Sequence, residues 1–195
     1  MPAIVDHDQR RRELAEVAAR LVAEGGADAA TVRGVAGAAG YSTKVVSHYF
    51  ADKRALLLLT NRHAADRSGM IAEASQCDGP DAGAYACALL PLDEARRQNW
   101  LVWFAFWGLA ITDPEFAAEQ RAGVRGARAR LTELMAADPR FRGLSSKGRA
   151  DQARTLLTQV MGVAVQAMFE PEDWNAGRQI EAIREHLAAL GAENA

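Results

Sequence analysis

Cysteine is almost missing from this chain of 195 residues, which holds only Cys77 and Cys87. Two isolated thiols build neither a disulfide framework nor a paired-thiolate metal site, and they fit a reducing cytoplasm. Long apolar runs are missing as well. The longest nearly unbroken one, Trp100 to Ile111, falls short of the roughly 20 residues that cross a bilayer, so it reads as a buried core helix and no membrane partner is expected. No basic start followed by an apolar stretch precedes the first charged segment, so no secretory signal is expected and the location reads as cytoplasmic. His7, His48, His63 and His186 are scattered without metal-ligand spacing, and Gly34, Gly37 and Gly40 lack the strand that a nucleotide-binding glycine loop needs. Neither a metal nor a cofactor is therefore expected, and a small helical enzyme is a poor reading. There is no convincing strand, internal repeat or low-complexity tract, and no large excess of charge, the net value being -2.

What the chain does have is helix. Hydrophobic residues make up 49% and charged residues 25%, an ordinary balance for a globular protein. Ala, Leu, Arg, Glu and Gln dominate, and apolar positions recur at intervals of three and four. The first helix is predicted from Asp8 to Glu24, with Leu14, Ala18, Leu21 and Val22 on one face and Gly25-Gly26 ending it. Thr31 is placed to cap a short helix with Val32, Val35, Ala36 and Ala39 inward, and Gly40 to end it. Ser42 can cap the next, with Val45, Val46 and Phe50 inward, and Asp52 one that starts near Lys53 and carries Leu56, Leu57 and Leu59.

After the turn cluster Asp78-Gly79-Pro80-Asp81, further helices are predicted at Ala82–Leu90, around Trp100, from Asp113-Pro114 to Ala137, at Gly148–Phe169 and at Trp174–Leu190. Arg140 to Lys147 reads as a polar loop. The fold class is all-α, with about nine helices. Charge is divided unevenly: ten basic against eight acidic residues up to Arg67, and thirteen against seventeen beyond it. A cationic end is compatible with DNA and equally with chance drift of surface charge.

Between Thr31 and Phe50 a short helix, a glycine turn and a second short helix follow at helix-turn-helix spacing. Small Ala36 and Ala39 let the helices approach, and Gly40 takes the turn conformation that bulkier residues resist. The second helix can then lie in a major groove with its amino-terminal residues towards the bases. On this reading Thr43, Lys44 and Ser47 face bases or phosphates, while His48, Tyr49 and Lys53 reach phosphates from the far end. Thr31, Val32, Arg33 and Ser42 belong to the same surface. Arg11, within the run Arg10-Arg11-Arg12, could meet the DNA backbone, although a cationic run on a helix is more often a solvated face.

Thr31-Val32-Arg33, Val35-Ala36, Ala38-Ala39-Gly40-Tyr41-Ser42, His48-Tyr49-Phe50 and Lys53 with Leu56 resemble the amino-terminal signature of the TetR family of transcriptional regulators. The resemblance covers roughly the first third of the chain. It implies a DNA-binding domain over 1–52, a helical ligand-binding and dimerisation domain over 53–195, and a double-stranded DNA operator released by a small-molecule effector. Ser42-Thr43, Val45-Val46, Ser47 to Phe50 and Asp52-Lys53, together with Trp100 to Trp107, are similar to the BetI branch, regulators of choline-to-betaine metabolism. Tyr41, where a smaller aliphatic residue is usual, and Lys44, where glycine is frequent, depart from the pattern and leave the operator sequence open.

Trp100, Trp103, Phe104 and Trp107 share one helical face, with Phe106 on another. Such a stripe is either core or the lining of a cavity for a flat apolar molecule or a quaternary ammonium group, and the BetI resemblance points to the last. Glu94, Asp113 and Glu115 are candidate counter-charges. Leu156, Val160, Val163, Ala164 and Ala167, with Ile180, Ile183 and Leu187, exceed what one core is expected to cover and make the last two helices the candidate homodimer interface. The bland alternative is that these faces are internal to a monomer. Whether repression or activation results stays open, and a helical adaptor that binds only protein is the alternative from another class.

Overall fold

The computed structural model describes residues 7–192, and the expected domain limits at Met1 and Ala195 lie outside the described residues. Among the described residues are nine α-helices, one 3-10 turn and no strand. The helices are α1 (His7–Gly25), α2 (Val32–Ala39), α3 (Thr43–Tyr49), α4 (Lys53–Ala74), α5 (Ala82–Ala88), α6 (Glu94–Thr112), α7 (Pro114–Ala137), α8 (Ser146–Phe169) and α9 (Ala176–Ala192).

The helix ends follow local chemistry. The Thr31 hydroxyl accepts from the Gly34 amide at 2.9 Å and the Asp52 carboxylate from the Ala55 amide at 2.7 Å. Asp113 accepts from the Glu115 amide at 2.9 Å, just ahead of Pro114 at the first position of α7. Each cap satisfies an amide that the helix itself leaves without a partner. Gly40 closes α2 at φ 71°, and the Tyr41 amide then reaches back to the Ala36 carbonyl at 2.9 Å. Thr31→Ala is expected to cost about 1 kcal/mol, read as a lower urea midpoint at unchanged slope.

The chain forms two compact units, Met1–Asp66 with Gln98–Gln120, and Arg67–Arg97 with Arg121–Ala195. In the first, Leu14, Ala18 and Val22 of α1 lie at four-residue spacing and pack into one core with Val35 and Ala36 of α2. Val46, Phe50, Leu56, Leu57, Val102, Phe106 and Phe116 complete that core. The helix-turn-helix is thus built on α1, the start of α4 and much of α6. In the second unit α8 buries Leu156, Leu157, Val160, Val163, Ala164 and Ala167, and α9 buries Ile183, Leu187 and Leu190.

Several expectations need correction. Val45 is 37% exposed rather than inward, because a seven-residue helix has one buried stripe and Val46 with Phe50 occupies it. The Arg140–Lys147 segment is not simply a polar loop: Phe141 is fully buried and ends a 3-10 turn capped by Asp138. Ser145 caps α8 through the Gly148 amide at 3.1 Å, so that helix starts at Ser146 and not at Gly148. The last helix starts after Trp174, because Asn175 takes the capping role by accepting from the Arg178 amide at 3.1 Å. Leu156, Val160, Val163, Ala164, Ala167, Ile183 and Leu187 are all buried within the single chain, and Ile180 is half-buried. The seven buried residues are core and give no argument for a dimer, while Ile180 keeps open surface.

Candidate nucleic-acid interface

α3 is only seven residues long, and Val46 is its one buried side chain. At about 100° per residue, Val46, Tyr49 and the following Phe50 form the inward side. Lys44 and His48 form the opposite ridge, and both are exposed. Thr43 and Ser47 occupy one flank and Val45 the other, and Tyr41 precedes the helix.

The Thr43 and Ser47 flank opens on a groove of about 530 Å³ lined by Thr31, Val32, Arg33, Thr43, Ser47, Phe50 and Ala51. Five residues expected at the DNA surface, from both helices of the motif, therefore converge on one concavity. Hydroxyls and a guanidinium along a groove suit a phosphate backbone, where such donors fix register rather than read sequence. The Thr31 oxygen already accepts from the Gly34 amide, so its hydroxyl proton remains available to donate. Ser42 accepts more loosely from the Val45 amide at 3.4 Å.

The other expected contacts are placed less uniformly. Arg11, Arg33 and Lys44 are exposed and make no ion pair among the described residues. Lys53, by contrast, lies 2.6 Å from the Asp28 carboxylate, whose pKa it holds below the usual carboxylate value. A phosphate contact by Lys53 would have to displace or share with Asp28. His48 and Tyr49 meet edge to face at 5.4 Å, and both approach His7 of α1, at 6.0 and 5.6 Å.

The same unit carries the aromatic stripe of α6. Trp100, Trp103, Phe104 and Trp107 form one cluster of edge-to-face rings with centroids 5.1 to 6.2 Å apart. Phe106 lies apart, fully buried and stacked on Phe116 at 5.6 Å. Trp100 is 3% exposed and touches all three of its neighbours, which makes it core, whereas Trp103, Phe104 and Trp107 keep partly open surface. Asn99 beside them donates to the Ala64 carbonyl of α4 at 3.0 Å.

Asp113 and Glu115 are already engaged elsewhere, which corrects their assignment as counter-charges. Arg54 of α4 holds Asp113 through two parallel bonds of 2.9 Å and Glu115 through a third of 2.6 Å. About two turns further along α4, Arg62 donates to Glu119 at 2.8 Å. These pairs, 57 to 61 residues apart in sequence, clasp α4 to the start of α7. Hydrogen bonding from Arg54 lowers the Asp113 pKa, so the pair stabilises the fold above the unfolded carboxyl's pKa and is lost as pH falls through the lowered one. Arg54→Leu is accordingly expected to lower the urea midpoint at neutral pH, with the difference from the parent protein closing in acid.

No helix of the described residues is long and apolar enough to cross a membrane. Residues 14–60 match the family described as bacterial regulatory proteins, tetR family, and residues 82–192, more than half of the chain, match the BetI-type transcriptional repressor carboxy-terminal family. The chain is 28% identical to the HTH-type transcriptional regulator PksA of Bacillus subtilis over 100% of this chain and 96% of that protein. It is 31% identical to the regulator BetI of Burkholderia mallei over 64% of this chain and 67% of that one. A transcriptional regulator from Rhodococcus sp. Rha1 superposes with a TM-score of 0.79 at 27% identity, covering 92% of this chain and 95% of its own. One from Saccharomonospora viridis, solved in complex with choline, superposes at 0.79 with 17% identity over 93% and 96% of the two chains. With its helix-turn-helix in the first match and α5 to α9 in the second, the chain belongs to the TetR family of transcriptional regulators and carries a BetI-type carboxy-terminal region.

Proposed function

We propose that this regulator is a cytoplasmic repressor that binds a near-palindromic operator as a homodimer and is released by a small cationic or aromatic effector. The observation that carries the DNA part is the groove in which Thr31, Arg33, Thr43 and Ser47 converge beside the exposed Lys44 and His48 ridge. The groove hydroxyls and Arg33 hold phosphates, and Lys44 and its neighbours face base edges. The named carboxy-terminal family and the aromatic cluster support the effector part, with Trp103, Phe104 and Trp107 offering ring faces to a quaternary ammonium group. Choline in the Saccharomonospora structure belongs to that protein, and it supplies the first compound to try.

The aromatic cluster sits in the same compact unit as the recognition helix. Phe106 and Phe116 in the core, with Arg54 and Arg62 on the ion pairs, tie α6 and α7 to α4, whose first turn follows α3 directly. An effector that prefers one position of α6 therefore biases α4 and α3, and it must bind the DNA-competent and released forms with different affinity. The dimer contact belongs on the outer sides of α8 and α9, since their inner faces are filled. Phe169, 74% exposed, follows Thr158, Gly162 and Val165 along one outward stripe of α8.

Fluorescence anisotropy on a duplex selected by the protein tests the effector. Choline is expected to raise the protein concentration needed for half-saturation. Identical curves with and without it would remove choline as the effector, and the same assay then ranks other quaternary and aromatic amines.

A further inference from the structure

A recognition helix of seven residues with one buried side chain is poorly anchored for a part that must meet base edges to within a fraction of an ångström. The structure supplies anchorage from an unexpected direction. The Arg10 guanidinium of α1 lies over the Tyr41 ring, 4.5 Å from its centroid, while Arg10 Nε is held by Glu13 at 3.2 Å. Tyr41 immediately precedes Ser42, the residue that caps α3, so pinning its ring fixes where the recognition helix begins. One turn earlier on α1, His7 rests against His48 and Tyr49, at the other end of the same helix. The first turns of α1 thus touch the chain at both ends of α3, at Tyr41 just ahead of its cap and at His48 and Tyr49 in its last turn.

We infer that Arg10 is a positioning residue for the recognition helix, acting through its stack on Tyr41 rather than through a DNA phosphate. The inference rests on the reading of α3 as the DNA-recognition helix. It assigns a role to Tyr41, one of the two residues that depart from the usual pattern, and it separates Arg10 from Arg11 and Arg12, which are exposed and free to face a phosphate backbone. A planar guanidinium on an aromatic face is a directional contact, and lysine or glutamine at the same place does not reproduce its geometry.

The test uses full-length protein, a duplex selected by the parent protein from a random pool, and an unrelated duplex, with affinities measured over a range of salt. Arg10→Gln and Tyr41→Leu are each expected to weaken operator binding about 5- to 30-fold, the substitution being present in both protomers. Tyr41→Phe, which keeps the ring face, should bind within about twofold of the parent, and the double variant should be no weaker than the worse single one. Affinity for the unrelated duplex and the salt slope should stay as in the parent. Arg10→Gln weakening both duplexes alike, with a salt slope shallower by about 0.9 for each phosphate that Arg10 had neutralised, would show that Arg10 binds the DNA backbone and overturn the inference. Additive effects of the two substitutions, or parent-like binding by Tyr41→Leu, would overturn it as well. Selection of no duplex by the parent protein would instead refute the recognition-helix reading on which it rests.

Discussion

Lys44→Glu is expected to reduce operator affinity by about two orders of magnitude while leaving the thermal midpoint within a degree or two of the parent. Lys44 stands on the exposed ridge of α3, and among the described residues it makes no ion pair. Its removal costs the fold nothing that can be named. On the proposed reading, the substitution would delete a cationic contact with DNA and put a carboxylate against a polyanion, and a two-fold dimer would do so twice. Lys44→Ala gives the milder deletion and should fall between the two proteins. Equal affinity of Lys44→Glu and parent for the selected duplex would mean that α3 does not enter the groove by this ridge.

Phe106→Ala acts on the opposite side of the balance and should destabilise the fold by about 3–5 kcal/mol, the range for losing a fully buried phenyl ring. Phe106 is wholly buried, stacks on Phe116 and joins the core that carries Val46 and Phe50 beneath the recognition helix. Trp103→Ala and Trp107→Ala, which remove partly exposed rings of the neighbouring face, should cost less stability and more effector affinity. Chemical denaturation followed by titration with a quaternary ammonium compound separates the two classes. A Trp103→Ala protein as unstable as Phe106→Ala would make the open rings core like Trp100.

Much of the architecture was legible because it depends on near neighbours. Thr31, Asp52 and the Asp113-Pro114 pair announce their caps within three residues, and Gly40 marks the one turn in the helix-turn-helix that needs a positive φ. The exposure of Thr43, Lys44 and Ser47 on α3 was readable for the same reason, since helical phase follows from spacing alone. Partners distant in sequence were not. Nothing local joins Lys53 to Asp28 or Arg54 to Asp113, and nothing in the arginine run singles out Arg10 as the one that stacks on Tyr41. The α8 and α9 stripes show the limit most clearly. Their apolar spacing predicts that Val160 and Ile183 are covered, which they are, but spacing carries no information on whether a second protomer or the same chain does the covering.

On the proposed reading two copies of α3 enter successive major grooves of one operator, an arrangement that hydroxyl-radical footprinting on the selected duplex can reveal. Two protected stretches related by a two-fold axis and centred about 34 Å apart, one turn of DNA, are expected, both abolished together in Lys44→Glu. A single protected stretch, or a footprint that Lys44→Glu leaves in place, would contradict it.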